Sequence, residues 1–91
     1  MPYWVGKESL TTKNRDKLIL ETPEGEYATT LIVTRCDDEA YIRINDTSND
    51  LIYCYRGLKI KDIKMKKIYL TNEASTVTNA TIEILLIKEE V

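Results

Sequence analysis

Histidine is absent from this chain of 91 residues and serine occurs three times, so the residues that most often serve as general base and hydroxyl nucleophile are missing or scarce. A hydrolytic site needs a nucleophile beside a base, or carboxylates converging in a cleft. The carboxylates here fall mainly at turns, as in Asp37-Asp38-Glu39 and residues 46–50, or stand as isolated surface charges. Neither stretch has the glycine and terminal glutamate placement of a calcium-binding loop. The three glycines are dispersed, which leaves no phosphate-cradling loop. Cys36 and Cys54 lack the further ligands a zinc site requires. At their spacing a disulfide would contribute about 3 kcal/mol; buried free thiols are the reading that fits a chain without export features. The expectation is a protein that is not an enzyme and holds no cofactor or metal.

What remains for recognition is tyrosine, arginine and lysine. Tyr41 stands beside Arg43, and Tyr53 and Tyr55 stand beside Arg56. Tyrosine and arginine are enriched at protein interfaces, although tyrosine is also a good strand former. Tyr3 and Trp4 precede a polar stretch broken only by Leu10. They read either as an arm that anchors on a neighbouring subunit or as a first strand folded onto its own domain. These six residues, Tyr3, Trp4, Tyr41, Arg43, Tyr53 and Tyr55, are the candidate protein interface. Replacing Trp4 by alanine would, on the arm reading, weaken assembly and spare the fold.

The run Lys59, Lys61, Lys64, Lys66 and Lys67, with Tyr69 close by, also has two readings. Lysines can meet phosphates while tyrosines stack on bases, as in barrels that bind single strands. Alternating lysines also keep an edge strand from pairing with copies of itself. Asp62 interrupts the run and the formal net charge is −2, which favours edge protection or an acidic protein partner over nucleic acid.

These residues need elements to position them, and the pattern supplies strands. Residues 39–45 alternate, with Ala40, Ile42 and Ile44 on one side and Tyr41 and Arg43 on the other, as in a half-buried strand. Further strands are predicted over residues 17–22, 27–36, 51–55, 58–62, around 68–70, and 80–88. Pro23-Glu24-Gly25, Asp37-Asp38, residues 46–50 and Arg56-Gly57 mark turns. Between Asp62 and Lys67 the apolar phase slips by one residue, which demands a turn or bulge. The last strand is apolar on both parities from Leu85 to Ile87 and is expected to be central or covered by a partner.

The fold class is therefore all-β: a single antiparallel β-sandwich, jelly-roll or Greek-key-like, of seven to eight strands, with a partly open barrel as second choice. Residues 1–16 are set apart as an N-terminal segment and 17–91 as the sandwich domain. A hydrophobic content of 43% with 31% charged residues belongs to a globular chain. The longest apolar run, residues 84–87, is too short to span a bilayer. The start lacks both a basic and an apolar signal region, so a cytoplasmic location is expected. Abundant Lys and Glu without Gln fit a thermophile, and an AT-rich genome would also inflate Ile and Lys.

The stretches Leu31-Ile32-Val33, residues 39–45, Gly57, Ile68-Tyr69-Leu70-Thr71-Asn72 and residues 80–85 together resemble small accessory proteins of tailed bacterial and archaeal viruses and proviruses. Those proteins are single β-sandwiches that decorate the capsid or sit in the tail. The resemblance spans about two-thirds of the chain as a pattern of strands and turns, and it carries over no functional residue. It implies a virion protein assembled in the host cytoplasm. Its partners would be capsid or tail subunits, and it would form a trimer or ring, with no role for a membrane.

Overall fold

The computed structural model describes residues 1–89. Eight strands and no helix are found among them: β1 (Tyr3–Ser9), β2 (Asn14–Glu21), β3 (Ala28–Cys36), β4 (Ala40–Ile44), β5 (Ile52–Cys54), β6 (Lys59–Met65), β7 (Lys67–Asn72) and β8 (Thr81–Ile87). They form two four-stranded sheets. Sheet A has the order β1-β8-β3-β6 and sheet B the order β2-β7-β4-β5. Every pairing is antiparallel. Strand β1 pairs with β8, β2 with β7, β3 with β6 and β4 with β5, so the chain is paired like one long hairpin and then divided between two sheets.

Alternation explains the strands that the sequence makes plain. In β4 the inward residues Ala40, Ile42 and Ile44 are buried, and in β8 so are Ile82, Ile84 and Leu86. They share one core with Leu31 and Val33 of β3, Met65 of β6 and Ile68 and Leu70 of β7. Strand β8 lies between β1 and β3 in sheet A, the interior position its double apolar parity suggested. The phase slip is present as well. Ala28 opposes Met65 while Thr30 opposes Lys61, so Asp62, Ile63 and Lys64 bulge opposite Thr29. Asp62 takes a left-handed φ of 65° there, a conformation aspartate tolerates better than most residues.

The N-terminal region differs from the boundary drawn in the sequence. Residues 1–16 are not set apart from the sheets: β1 is a full strand on β8, and β2 begins at Asn14 instead of residue 17. The inward positions of β1 are Trp4, Gly6 and Glu8, opposite Leu86, Ile84 and Ile82. This is a poor hydrophobic pattern with a local cause. Strand β2 crosses so close to Gly6 that a Cβ there would lie 2.9 Å from the Ile19 carbonyl oxygen and 3.0 Å from Leu20 Cβ. Glu8, at the rim, is held by Lys17 Nζ at 3.0 Å. Gly6→Ala should therefore cost about 1–3 kcal/mol by overpacking backbone that cannot yield. A urea titration would show this as a lower midpoint, and an unchanged midpoint would contradict the close approach.

Leu10, fully buried in the β1–β2 loop, plugs one end of the core. Its N–H donates to Ala80 O at 2.8 Å and its carbonyl accepts from Ser75 N at 2.8 Å.

Candidate functional site: the outward faces of the two sheets

Parity in β4 sends Tyr41 and Arg43 to the solvent side of sheet B, and the register decides their neighbours. Tyr41 lies opposite Tyr53 of β5 and Thr71 of β7, and Arg43 lies opposite Tyr69. The Tyr41 and Tyr53 rings meet edge-on, with centroids 5.7 Å apart at 62°. Tyr55 continues the row at 6.3 Å from Tyr53. Tyr53 and Tyr55 are each about half exposed. Arg43 Nε donates to Asp16 Oδ1 at 3.0 Å, and its terminal nitrogen donates to the Asn49 carbonyl. The β4–β5 loop is thereby held against this face.

Beside Tyr41 lies a cleft of about 300 Å³ walled by Leu51 and Thr71 and rimmed by Asp38, Glu39 and Glu73. Tyr41 donates its hydroxyl proton to Glu39 Oε1 at 2.6 Å, and this bond to the carboxylate raises the phenol's pKa above its ordinary value. Asp38 accepts from the Ser75 hydroxyl and from Glu39 N; both bonds stabilise its ionised form and lower its pKa. Among the described residues, no three acidic or cysteine side chains converge so as to hold a metal ion. The arrangement can bind, by aromatic surface at its centre and negative charge at its rim.

The outward face of sheet A carries an aliphatic row. Val5 of β1, Leu85 of β8 and Ile32 of β3 are in register across three adjacent strands. Tyr3 and Ile87 form a second pair along the same side. Tyr3 is 66% exposed and Val5 49% exposed; Ile32, Leu85 and Ile87 are partly exposed. Lys59 of β6 lies opposite Ile32, and Lys61 lies opposite Thr30. Nearer the other edge, Lys7 Nζ pairs with Glu83 Oε2 at 3.1 Å. The sequence reading missed Val5, Ile32, Leu85 and Ile87 as surface residues, although the double parity of residues 85–87 carried the signal.

The six interface candidates thus divide between the sheets. Tyr41, Arg43, Tyr53 and Tyr55 share the outward side of sheet B, whereas Tyr3 lies on the outward side of sheet A. Trp4 points the other way, half-buried against the core of its own domain. The lysine run divides too. Lys59 and Lys61 lie on β6, an edge strand of sheet A, while Lys67 and Tyr69 belong to β7 in sheet B. Lys64 sits 4.9 Å from the centroid of the Tyr27 ring, Lys66 turns the corner between the two strands, and Lys67 lies 3.8 Å from Glu21. Tyr69 faces solvent on sheet B beside Arg43, not beside the β6 lysines.

Cys36 and Cys54 are free thiols on different sheets, with Cys36 Sγ 3.7 Å from the Cys54 carbonyl oxygen. Burial pushes Cys54 up to about 12 from an ordinary 9.0, with the neighbouring Cys36 adding to the effect. Thiolate chemistry is therefore suppressed. Iodoacetamide should leave Cys54 unlabelled in the folded protein and modify it only in denaturant; equal labelling in both states would contradict the burial. The raised folded-state pKa also sets a sign: the stabilisation from keeping this thiol neutral is full below pH 9 and is lost as pH rises from 9 towards 12.

No helix among the described residues is long and apolar enough to cross a membrane. Compared with known proteins, the chain matches no family model, no curated protein and no solved structure.

Proposed function

We propose that the chain is a non-enzymatic accessory protein of a virion, a capsid decoration or tail component, that works by burying its outward sheet faces against neighbouring subunits. The observation that carries this reading is the apolar row Val5–Leu85–Ile32, with Tyr3 and Ile87 beside it, on the solvent side of sheet A. Antiparallel sheets usually keep a polar side towards water, and contiguous apolar surface marks a contact site. The tyrosine row of sheet B supplies a second surface of the composition interfaces favour. On this reading the partners are capsid or tail subunits and further copies of the chain in a trimer or ring, assembled in the host cytoplasm.

The strand order supports a jelly roll as the finer description of the fold. A hairpin paired β1–β8, β2–β7, β3–β6 and β4–β5 and rolled into two sheets gives the orders β1-β8-β3-β6 and β2-β7-β4-β5. Jelly rolls serve as viral capsid domains, and also as lectins and cupins, so the fold is compatible with the role without specifying it. A nucleic-acid role for Lys59, Lys61, Lys64, Lys66, Lys67 and Tyr69 has less support, because those residues do not line one groove.

The test is fractionation of particles from the cells that carry the gene. The chain should band with capsid protein in a density gradient and be detected there by mass spectrometry. Recovery only from the particle-free fraction would overturn the assignment.

A further inference from the structure

We infer that copies of this chain associate head to tail, the outward face of sheet A in one copy packing on the outward face of sheet B in the next. The inference rests on the reading of both faces as contact surfaces and specifies the partner: a second copy. What selects it is charge complementarity. The apolar row of sheet A is flanked by Lys59 and Lys61, which are exposed and have no ion pair among the described residues. The tyrosine row of sheet B is flanked by Glu39 and Glu73, which are also exposed. Among the described residues the Glu39 carboxylate is bonded to the Tyr41 hydroxyl alone, and Glu73 forms a 3.5 Å ion pair with the exposed Lys13.

Three pairings of the faces are possible. Packing A on A sets the β6 lysines of two copies on like surfaces, and packing B on B does the same with the carboxylates; like charges brought together oppose association. Packing A on B brings lysines to carboxylates and covers aliphatic side chains with tyrosine rings. The other charges on these faces do not reverse this choice: Lys7 with Glu83, Arg43 with Asp16 and Lys67 with Glu21 are paired within their own faces, and Glu89, which accepts from the Thr30 hydroxyl across from Lys61, offsets only part of the charge of the two lysines.

Size then sets the strength. The four strands of sheet A, spaced at about 4.8 Å and each some seven residues of about 3.3 Å, present a face of roughly 450 Å² in projection, and sheet B, with β4 and β5 shorter, presents less. Stable complexes bury about 800 Å² per partner. A single contact is therefore weak and reversible, and it gains permanence only through repetition. Because the contact joins two different surfaces, it repeats: it closes into a ring if the rotation per copy allows and otherwise extends as a filament.

Charge reversal tests this. One variant carries Lys59→Glu with Lys61→Glu, the other Glu39→Lys with Glu73→Lys. All four side chains are exposed, and circular dichroism would verify that both variants keep their β-structure. Light scattering on the wild type at low salt should give a mass above the monomer that rises with concentration and falls back in high salt. Each variant alone should lose the larger species, and an equal mixture should recover it. A monomeric wild type at low salt, a variant that assembles alone as the wild type does, or a mixture that stays monomeric would each overturn the inference. A chain that is monomeric in solution yet bands with particles would remove the head-to-tail contact and keep the accessory role; a chain that stacks but is absent from particles would do the reverse.

Discussion

Truncating Leu86 to alanine should cost the isolated domain about 3–4 kcal/mol, whereas Leu85→Thr, one residue earlier, should cost it about 1 kcal/mol or less. Leu86 is fully buried, with Trp4 opposite on β1 and Leu31 opposite on β3. Its removal leaves a cavity at the centre of sheet A, where three strands meet and relaxation is limited. Leu85 shares the backbone pairing but stands on the solvent side between Val5 and Ile32. Threonine suits a half-exposed strand position and removes only outward apolar area. Urea titrations of dilute protein should separate the two by several-fold in lost stability. Light scattering of concentrated protein should show the effect of Leu85→Thr instead, as a loss of self-association. Equal stability losses would mean that Leu85 belongs to the core and that the outward face has been misassigned.

Asn72→Ala should cost about 3 kcal/mol, well above what a surface amide contributes. Asn72 is 3% exposed. Its Oδ1 accepts from Asn14 Nδ2 at 2.8 Å, and its Nδ2 donates to the carbonyls of Leu10, Thr12 and Glu73 at 3.2, 3.0 and 2.8 Å. Alanine would remove four hydrogen bonds at once, each worth about 0.5–1.5 kcal/mol net, although Asn14 Nδ2 keeps its 3.3 Å bonds to the Ser9 and Thr12 carbonyls and the Leu10 carbonyl keeps Ser75 N. Asn72→Asp should be worse at neutral pH, because it sets a carboxylate among three carbonyl oxygens with no proton to share. Lowering the pH protonates that carboxyl, so the aspartate variant should regain stability in acid relative to the alanine variant. A melt showing Asn72→Ala within about 0.5 kcal/mol of the wild type, the range of ordinary surface changes, would contradict the network. Loss of this clamp should also loosen Leu10 and the cleft beside Tyr41, whose wall adjoins Asn72.

How much of this was legible in the sequence depends on whether a strand's signal is local. Strand β4 could be read from residues 40–44 alone, because every inward position is aliphatic and every outward one is Tyr or Arg. Strand β8 was legible for the same reason, and its extra apolar parity marked an outward face as well as an interior position. Strand β1 was obscured because its inward glycine answers to the Ile19–Leu20 backbone, a contact with no local signature. Trp4 could be read two ways until its pairing partner at the far end of the chain was known.

The candidate site was legible residue by residue but not as a surface. Parity alone turns Tyr41 and Arg43 outward. That Tyr41 stands beside Tyr53, or Lys59 beside Ile32, depends on registers between strands distant in sequence. The lysine run illustrates the converse. Contiguity in sequence suggested one patch, and the passage from sheet A to sheet B at Lys66 divides it. Asp38 and Glu39 read as turn chemistry and Glu73 carried no signal of its own, and only the folded arrangement brings the three to one rim.

The central claim is that the outward sheet faces exist to be covered by other protein. Hydroxyl-radical footprinting, comparing dilute monomer with assembled protein, measures this directly, because oxidation follows side-chain exposure. Tyr3, Leu85, Tyr41 and Tyr53 should be protected in the assembled state, while exposed residues off both faces, such as Val77, keep their reactivity. Unchanged oxidation at all four, or protection confined to residues away from both faces, would contradict the account.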